Sequence, residues 1–192
     1  YLKLNQTILE KRENGRFKGT WWQYSRPQNL NEFDTLKIMT PEIANGCQMT
    51  FDIDGNTYHT TKVYSFAFNK SINEKLYYFL GVLNSNILWF YLKSTGYVLR
   101  GGYFTFKTNY LSPFPIPQIN FQNESEKQSH DRIVSLVIDM LESKKQLHNA
   151  KTDRDKTYYE NKCADLDHAI DSEVYKLYGL TEEEIKIVEG KE

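Results

Sequence analysis

The sequence is poor in the features that usually announce chemistry. Two cysteines, Cys47 and Cys163, among 192 residues cannot build a disulfide framework and fit a reducing, cytoplasmic compartment. No stretch approaches the roughly 18 uncharged apolar residues that span a bilayer, and the mean hydropathy is −0.64, so no membrane association is expected. A glycine-rich phosphate loop is missing, because Gly101-Gly102 lacks both a third glycine and a strand-to-helix setting. The four histidines are scattered, and Cys163 and His168 stand at a spacing that supports neither a zinc pair nor a nucleophile–base pair. Asp52-x-Asp54-Gly55 lacks the further ligands of a calcium loop and reads as a turn. Asp139, Glu142 and Lys144 could form a nuclease-like carboxylate cluster, but their spacing sets them on the solvated face of an amphipathic helix. No metal site and no catalytic residue is therefore expected in this chain. Tyr1 falls in mid-pattern and no charged-then-apolar leader precedes the fold, so a longer parent protein is expected.

What is present is uneven. Hydrophobic residues make up 40% of the chain, enough for a sizeable core. Residues 1–118 carry 13 Lys+Arg and 8 Asp+Glu, a charge of +5; residues 119–192 carry 11 and 17, a charge of −6. Of the 28 Phe, Trp and Tyr, 23 lie in the first part. The boundary falls in SPFPIPQINFQNESEKQ (112–128), where Pro113, Pro115 and Pro117 forbid a helix. Such asymmetry points to a polyanion partner for the first part. From Lys75 to Asn123 there is no acid at all; at the chain's average content a window of that length would hold about six. Lys75, Lys93, Arg100 and Lys107 stand there with no acid near them in sequence. Burial explains this for the apolar stretch at 74–92 but not for KSTGYVLRGGYFTFKTNY (93–110), which is too polar and glycine-rich for an interior.

The patterns predict an α+β fold: a mixed α/β part at 1–118, then a long antiparallel helical hairpin at 119–192. YLKLNQTILEKRE (1–13) reads as the tail of a helix, RFKGTWWQYSRP (16–27) as strand or loop, and TLKIMTP (35–41) as a strand stopped by Pro41. MTFDIDGNTYHTTKVYSFAF (49–68) predicts two antiparallel strands joined at Asp54-Gly55-Asn56. In 72–95, Leu76, Leu80, Leu83, Ile87 and Tyr91 recur at helical spacing, with Asn73 as N-cap and a break at Asn84-Ser85. GGYFTFKTNYLSPFPIP (101–117) predicts a glycine turn and a strand, with Phe104 and Phe106 on one face and Thr105 and Lys107 on the polar one. Residues 125–150 bury Ile133, Leu136, Val137, Met140 and Leu147; residues 153–179 bury Tyr159, Cys163, Leu166, Ile170, Val174 and Leu177. Each arm of roughly 25 residues would be about 38 Å long. Thr152 or Asp153 caps the second arm, Gly179 stops it, and Thr181-x-x-Glu184 opens a short last helix.

The candidate binding residues are Arg16, Lys18, Arg26, Thr60, Lys62, Lys93, Arg100, Tyr103 and Lys107, interleaved with Tyr24, Tyr97 and Tyr110. A guanidinium addresses guanine edges in a bidentate way, an ammonium neutralises phosphate, and hydroxyls add contacts of either kind. The loops concerned are 14–30, 58–63 and 93–110.

Several segments resemble a known family. GVLNSNILWFYLKS (81–94), GGYFTFKTNYLSPFPIP (101–117), KGTWWQYSRP (18–27) and LKIMTPEI (36–43) are similar to the TaqI-like C-terminal specificity domain of type II restriction–modification enzymes. That domain is related to the target-recognition half of type I specificity subunits. IDSEVYKLYGLTEEEIKIVEG (170–190) resembles the helical end frequent in fused methyltransferase–endonucleases of this kind. The resemblance implies a module that reads a short duplex DNA sequence. It positions an adenine-specific, S-adenosylmethionine-dependent methyltransferase, often fused to a nuclease that would need magnesium. No Asn/Asp-Pro-Pro-Tyr methylation motif occurs here, so the cofactor is expected in the parent and not in this chain. The partners expected are double-stranded DNA and the methyltransferase or nuclease part of the same or another chain. The rival reading is a protein-interaction module that docks or dimerises through the hairpin, with no DNA bound.

Overall fold

A computed structural model describes residues 1–25, 32–68 and 71–191. Its described elements are seven α-helices and six β-strands, and the arrangement is α+β. The chain opens with α1 (Gln6–Glu10), flanked by 3₁₀ turns at Leu2–Asn5 and Arg12–Gly15. The helix read at 1–13 is thus broken into short turns. None of residues 1–25 is buried, and 16–25 is loop.

Two small antiparallel sheets follow. The strands β1 (Lys37–Pro41), β2 (Ile43–Ala44), β3 (Thr50–Asp52) and β4 (Val63–Ala67) precede the helices, and β5 (Val98–Leu99) and β6 (Tyr103–Thr105) come after them. The spatial orders are β3-β1-β4 and β2-β6-β5. The predicted hairpin at 49–68 is therefore corrected. Its two strands exist but do not pair with each other. Each pairs antiparallel with β1, which lies between them, with Ile38 opposite both Phe51 and Phe66. The Asp54-Gly55 signal is used for a local turn, with Gly55 at φ +64°, and residues 53–62 cross from one edge of the sheet to the other.

The reason lies at Lys37 and Asp52, directly opposed in the register. Lys37 is 1% exposed, and its ammonium donates to Asp52 Oδ2, to Phe33 O at 2.7 Å and to Thr35 O at 3.3 Å. Asp52 also accepts from Thr57 N at 2.9 Å. The hydrogen bond from Lys37, aided by those from the turn, holds its carboxyl well below the usual range. A buried ammonium needs all its protons bonded, and this node ties β1, β3 and the turn after β3 into one unit.

Next come α2 (Leu76–Asn84) and α3 (Asn86–Thr95), with the break at Ser85 as expected. Each polar residue at the break has its own partner. Asn84 exchanges hydrogen bonds with both backbone groups of Met49, at 2.8 and 3.1 Å. Ser85 Oγ donates to Val82 O at 2.7 Å. Asn86 N and Nδ2 donate to the two carboxylate oxygens of Asp171, at 2.9 and 2.6 Å. The N-cap of α2 is Lys75 and not Asn73. Its N–H is met by Nε2 of buried His130 at 3.1 Å, a bond 55 residues away in sequence that outweighs the local capping preference.

After β6 comes a short α4 (Thr108–Leu111), which the alternating pattern did not suggest. The alternation itself ends early: Thr105 and Phe106 are both buried, so Thr105 is not on a polar face. Beyond α4 the chain runs extended past three prolines. Tyr178 Oη donates to Pro115 O at 2.6 Å and Tyr78 Oη to Pro117 O at 2.7 Å. Burial pushes both phenols far above their ordinary pKa, so both remain donors. These bonds satisfy carbonyls that have no strand partner.

The helical hairpin forms as read: α5 (Glu124–Asn149), α6 (Asp153–Tyr178) and a last α7 (Glu182–Glu189). Asn123 and Thr152 cap the long arms with their side chains, Gly179 ends α6 at φ +66°, and Thr181 with Glu184 forms a complete capping box. Glu142 and Lys144 lie on the solvated side, as expected. One hydrophobic cluster joins the parts. Tyr78, Val82, Leu88 and Leu92 of the helix pair, Ile38 and Phe106 from the sheets, and Ile133 and Val174 from the hairpin are all fully buried in it. The hairpin approaches α2 closely at Gly81, where a Cβ would meet Ile133 Cγ2 at 2.7 Å. No helix among the described residues is long and apolar enough to cross a membrane.

Candidate nucleic-acid interface

The two sheets meet at Glu42, between β1 and β2. Its N–H donates to Lys62 O and its carbonyl accepts from Phe106 N, both at 2.8 Å. This junction brings two of the candidate residues together. Lys62, just before β4, and Lys107, just after β6, both reach the Glu42 carboxylate, at 3.0 and 3.3 Å. Lys107 is therefore opposed by an acid after all, one 65 positions away in sequence. The hydrogen bond from Lys62 first, then that from Lys107, holds the Glu42 carboxyl below its ordinary pKa. Thr60 is exposed in the approach to β4; its carbonyl accepts from Val63 N at 3.1 Å and meets His59 Nδ1 at the same distance. Phe33 stacks on Tyr58, Tyr58 Oη donates to Asp34 Oδ1, and Phe33 also meets the His59 ring edge-on, so loop 58–62 has a fixed base.

Arg100 is exposed in the turn that joins β5 to β6, where Gly101 and Gly102 take φ +87° and +79°. Only glycine holds two such angles in succession without strain. Tyr103 is half exposed as the first residue of β6. From Tyr103 to Lys107 the extended chain covers about 13 Å, comparable to the width of a major groove, about 12 Å. The Arg100 turn and the Lys62–Lys107 pair thus stand at the two ends of one strand. Lys93 is exposed in the last turn of α3, where a cation also complements the helix dipole.

Arg16 and Lys18 are exposed on the N-terminal loop. Arg12 organises that loop. Its guanidinium donates to Leu9 O, Gln23 O and Trp21 O at 2.7–2.9 Å and lies 4.3 Å above the Phe17 ring. Trp22 and Tyr24 are left exposed beside it. Arg26 lies outside the described residues. Neither Arg12 nor Glu42 stood out by spacing, since each acts through backbone groups or side chains made neighbours only by folding.

No group of three His, Cys, Asp or Glu able to hold a metal occurs among the described residues. Burial first, and then the charge of Asp171, pushes the Cys47 thiol up to about 12.

The relatives fit this picture. The chain is 27% identical over 142 residues to the type II methyltransferase M.HindII of Haemophilus influenzae, covering 71% of this chain and 27% of the relative. It is 27% identical over 167 residues to the type II restriction enzyme and methyltransferase RM.Eco57I of Escherichia coli, covering 83% and 16%. The type II methyltransferase M.HincII of Haemophilus influenzae is 28% identical over 130 residues, covering 65% and 26%. The chain thus spans about a quarter or less of the curated relatives it matches. The sequence model of the TaqI-like C-terminal specificity domain matches residues 4–116, which hold both sheets and the α2–α3 pair. Because that match takes in more than half of the 192 residues, the chain belongs to the TaqI-like C-terminal specificity domain family.

Proposed function

We propose that this chain reads a specific sequence in double-stranded DNA for a type II restriction–modification enzyme. Its partner in this reading is an adenine-specific methyltransferase part, with or without a nuclease, which holds S-adenosylmethionine and, for cleavage, magnesium. The chain supplies binding and register, and the partner supplies the chemistry. The carrying observation is that two exposed lysines, Lys62 and Lys107, are brought together at Glu42 beyond the C-terminal end of β6, while exposed Arg100 stands in the glycine turn that precedes that strand. Residues 1–118 act as the reader and 119–192 as a spacer and docking element. The division is supported by the end of the family match at Ile116, within the proline segment, and by the charge of −6 on 119–192, which repels phosphate. Ile138 and Leu141 on α5 and Tyr158 on α6 are exposed and offer apolar surface for the partner.

Titration of the chain with duplex DNA at two salt concentrations tests the proposal. A phosphate-contacting surface weakens steeply between about 50 and 200 mM salt. Affinity that does not change with salt, or no binding at all, would leave the interaction-module reading in its place.

A further inference from the structure

Among the proposed DNA contacts, Lys62 and Lys107 differ from Lys93 and Arg100. The latter two take part in no ion pair among the described residues, whereas the former share one carboxylate. That carboxylate belongs to Glu42, whose side chain is 14% exposed, beneath ammonium groups on side chains that are 78% and 48% exposed. The acid sits under the surface and the cations stand above it.

Stability does not account for this arrangement. The sheets are joined at this point by the Glu42 backbone, through Lys62 O and Phe106 N, and those bonds do not need the carboxylate. Exposed ion pairs add little to folding. The trio does change the charge a duplex would meet: two ammonium groups and one carboxylate present one net positive charge where the lysines alone would present two.

We propose that Glu42 is a positioning residue of the DNA surface, a built-in counter-anion that holds Lys62 and Lys107 as one unit and restrains sequence-independent phosphate binding. This rests on the DNA-reading function proposed above. Sequence-independent affinity grows with each phosphate neutralised, and each adds about 0.9 to the slope of log K against log salt. A reader that must release wrong sites gains by holding that number down, because base contacts and not phosphate contacts carry its information. The low pKa of Glu42 fits the role, since the counter-charge persists across the neutral range.

The test uses the 192-residue chain and a mixed-sequence duplex of about 20 base pairs, titrated at about 50, 100 and 200 mM salt. Glu42→Gln removes the charge and keeps the shape, so its salt slope should steepen by about one unit, roughly a 3.5-fold larger loss of affinity over that range. Lys62→Gln should flatten the slope by about one unit, and the double variant should return to the parent's slope. If the glutamine variant melts early, Glu42→Thr is read in the same way. A parent chain without a salt slope overturns the DNA-reading function itself. A parent with a slope, and a charge-free variant whose slope is unchanged or flatter, overturns the role of Glu42 alone. A loss of affinity at constant slope would make Glu42 a structural tie and likewise overturn the role.

Discussion

Replacing Gly81 by alanine tests how closely the helical hairpin is seated. Alanine normally improves a helix, by about 0.8–1.0 kcal/mol over glycine. At Gly81 the added methyl would stand 2.7 Å from Ile133 Cγ2 and 3.1 Å from Val137 Cγ2. Both are branch methyls set close to their own backbone, and Ile170 Cγ2 of α6 closes the same space at 3.6 Å, so neither can swing away. Ile133 is fully buried and Val137 nearly so. Overpacking of this kind costs about 1–3 kcal/mol. The clash should therefore exceed the propensity gain and leave a net loss of about 1 kcal/mol. For a chain of this size that lowers Tm by about 2–4 °C, measurable by thermal melting followed by circular dichroism. A double-mutant cycle isolates the cause. Ile133→Ala alone should cost about 2–5 kcal/mol. With Gly81→Ala in the same chain the cost should be smaller than the sum by at least about 0.5 kcal/mol, because the new methyl enters the space vacated. A Gly81→Ala chain that melts at or above the parent's temperature would refute the reasoning, and additive losses would show that the contact with Ile133 is not its source.

Three further outcomes follow from particular contacts. Burial first, opposed by the hydrogen bond from Asn86 and reinforced by the charge of Asp167, raises the Asp171 carboxyl to about 6. A raised carboxyl makes the folded state bind more protons than the unfolded one, so this group should add stability as the pH falls from about 6 to about 4, by up to about 3 kcal/mol. Asp171→Asn should flatten stability across that window in urea titrations; an unchanged slope would refute it. His130→Ala leaves the Lys75 N–H without its acceptor and removes a ring packed 5.3 Å from Tyr78 and 5.1 Å from Phe121. The loss should be about 3 kcal/mol by chemical denaturation, and less than about 1 kcal/mol would mean that the start of α2 does not depend on it. Arg100→Ala should leave Tm unchanged. If the side chain pairs with a guanine edge, it should cost about 1–3 kcal/mol in affinity at sites selected from a random duplex pool and relax preference at one position; unaltered selection would remove it from the reading surface.

Much of the architecture is legible from the residues alone because its information is local. The stripes of α5 and α6, the caps at Thr152, Gly179 and Thr181 with Glu184, and the break at Asn84-Ser85 each depend on residues within a turn or two of one another. Charge asymmetry is a property of composition, so a basic, aromatic first part and an acidic helical second part are visible without coordinates. Folding decided what depends on distant neighbours. The Asp54-Gly55 turn looks like a hairpin until β1 takes the place between β3 and β4, because turn chemistry specifies a reversal but not which strand pairs with which edge. Lys37 is buried against Asp52, a pairing that becomes visible only with the strand register. Asn73 yields the N-cap of α2 to Lys75, whose N–H is met by a histidine from α5. Lys107 is unopposed along the chain and shares Glu42 with Lys62 in space, because electrostatic partners are set by through-space distance, which sequence separation does not report.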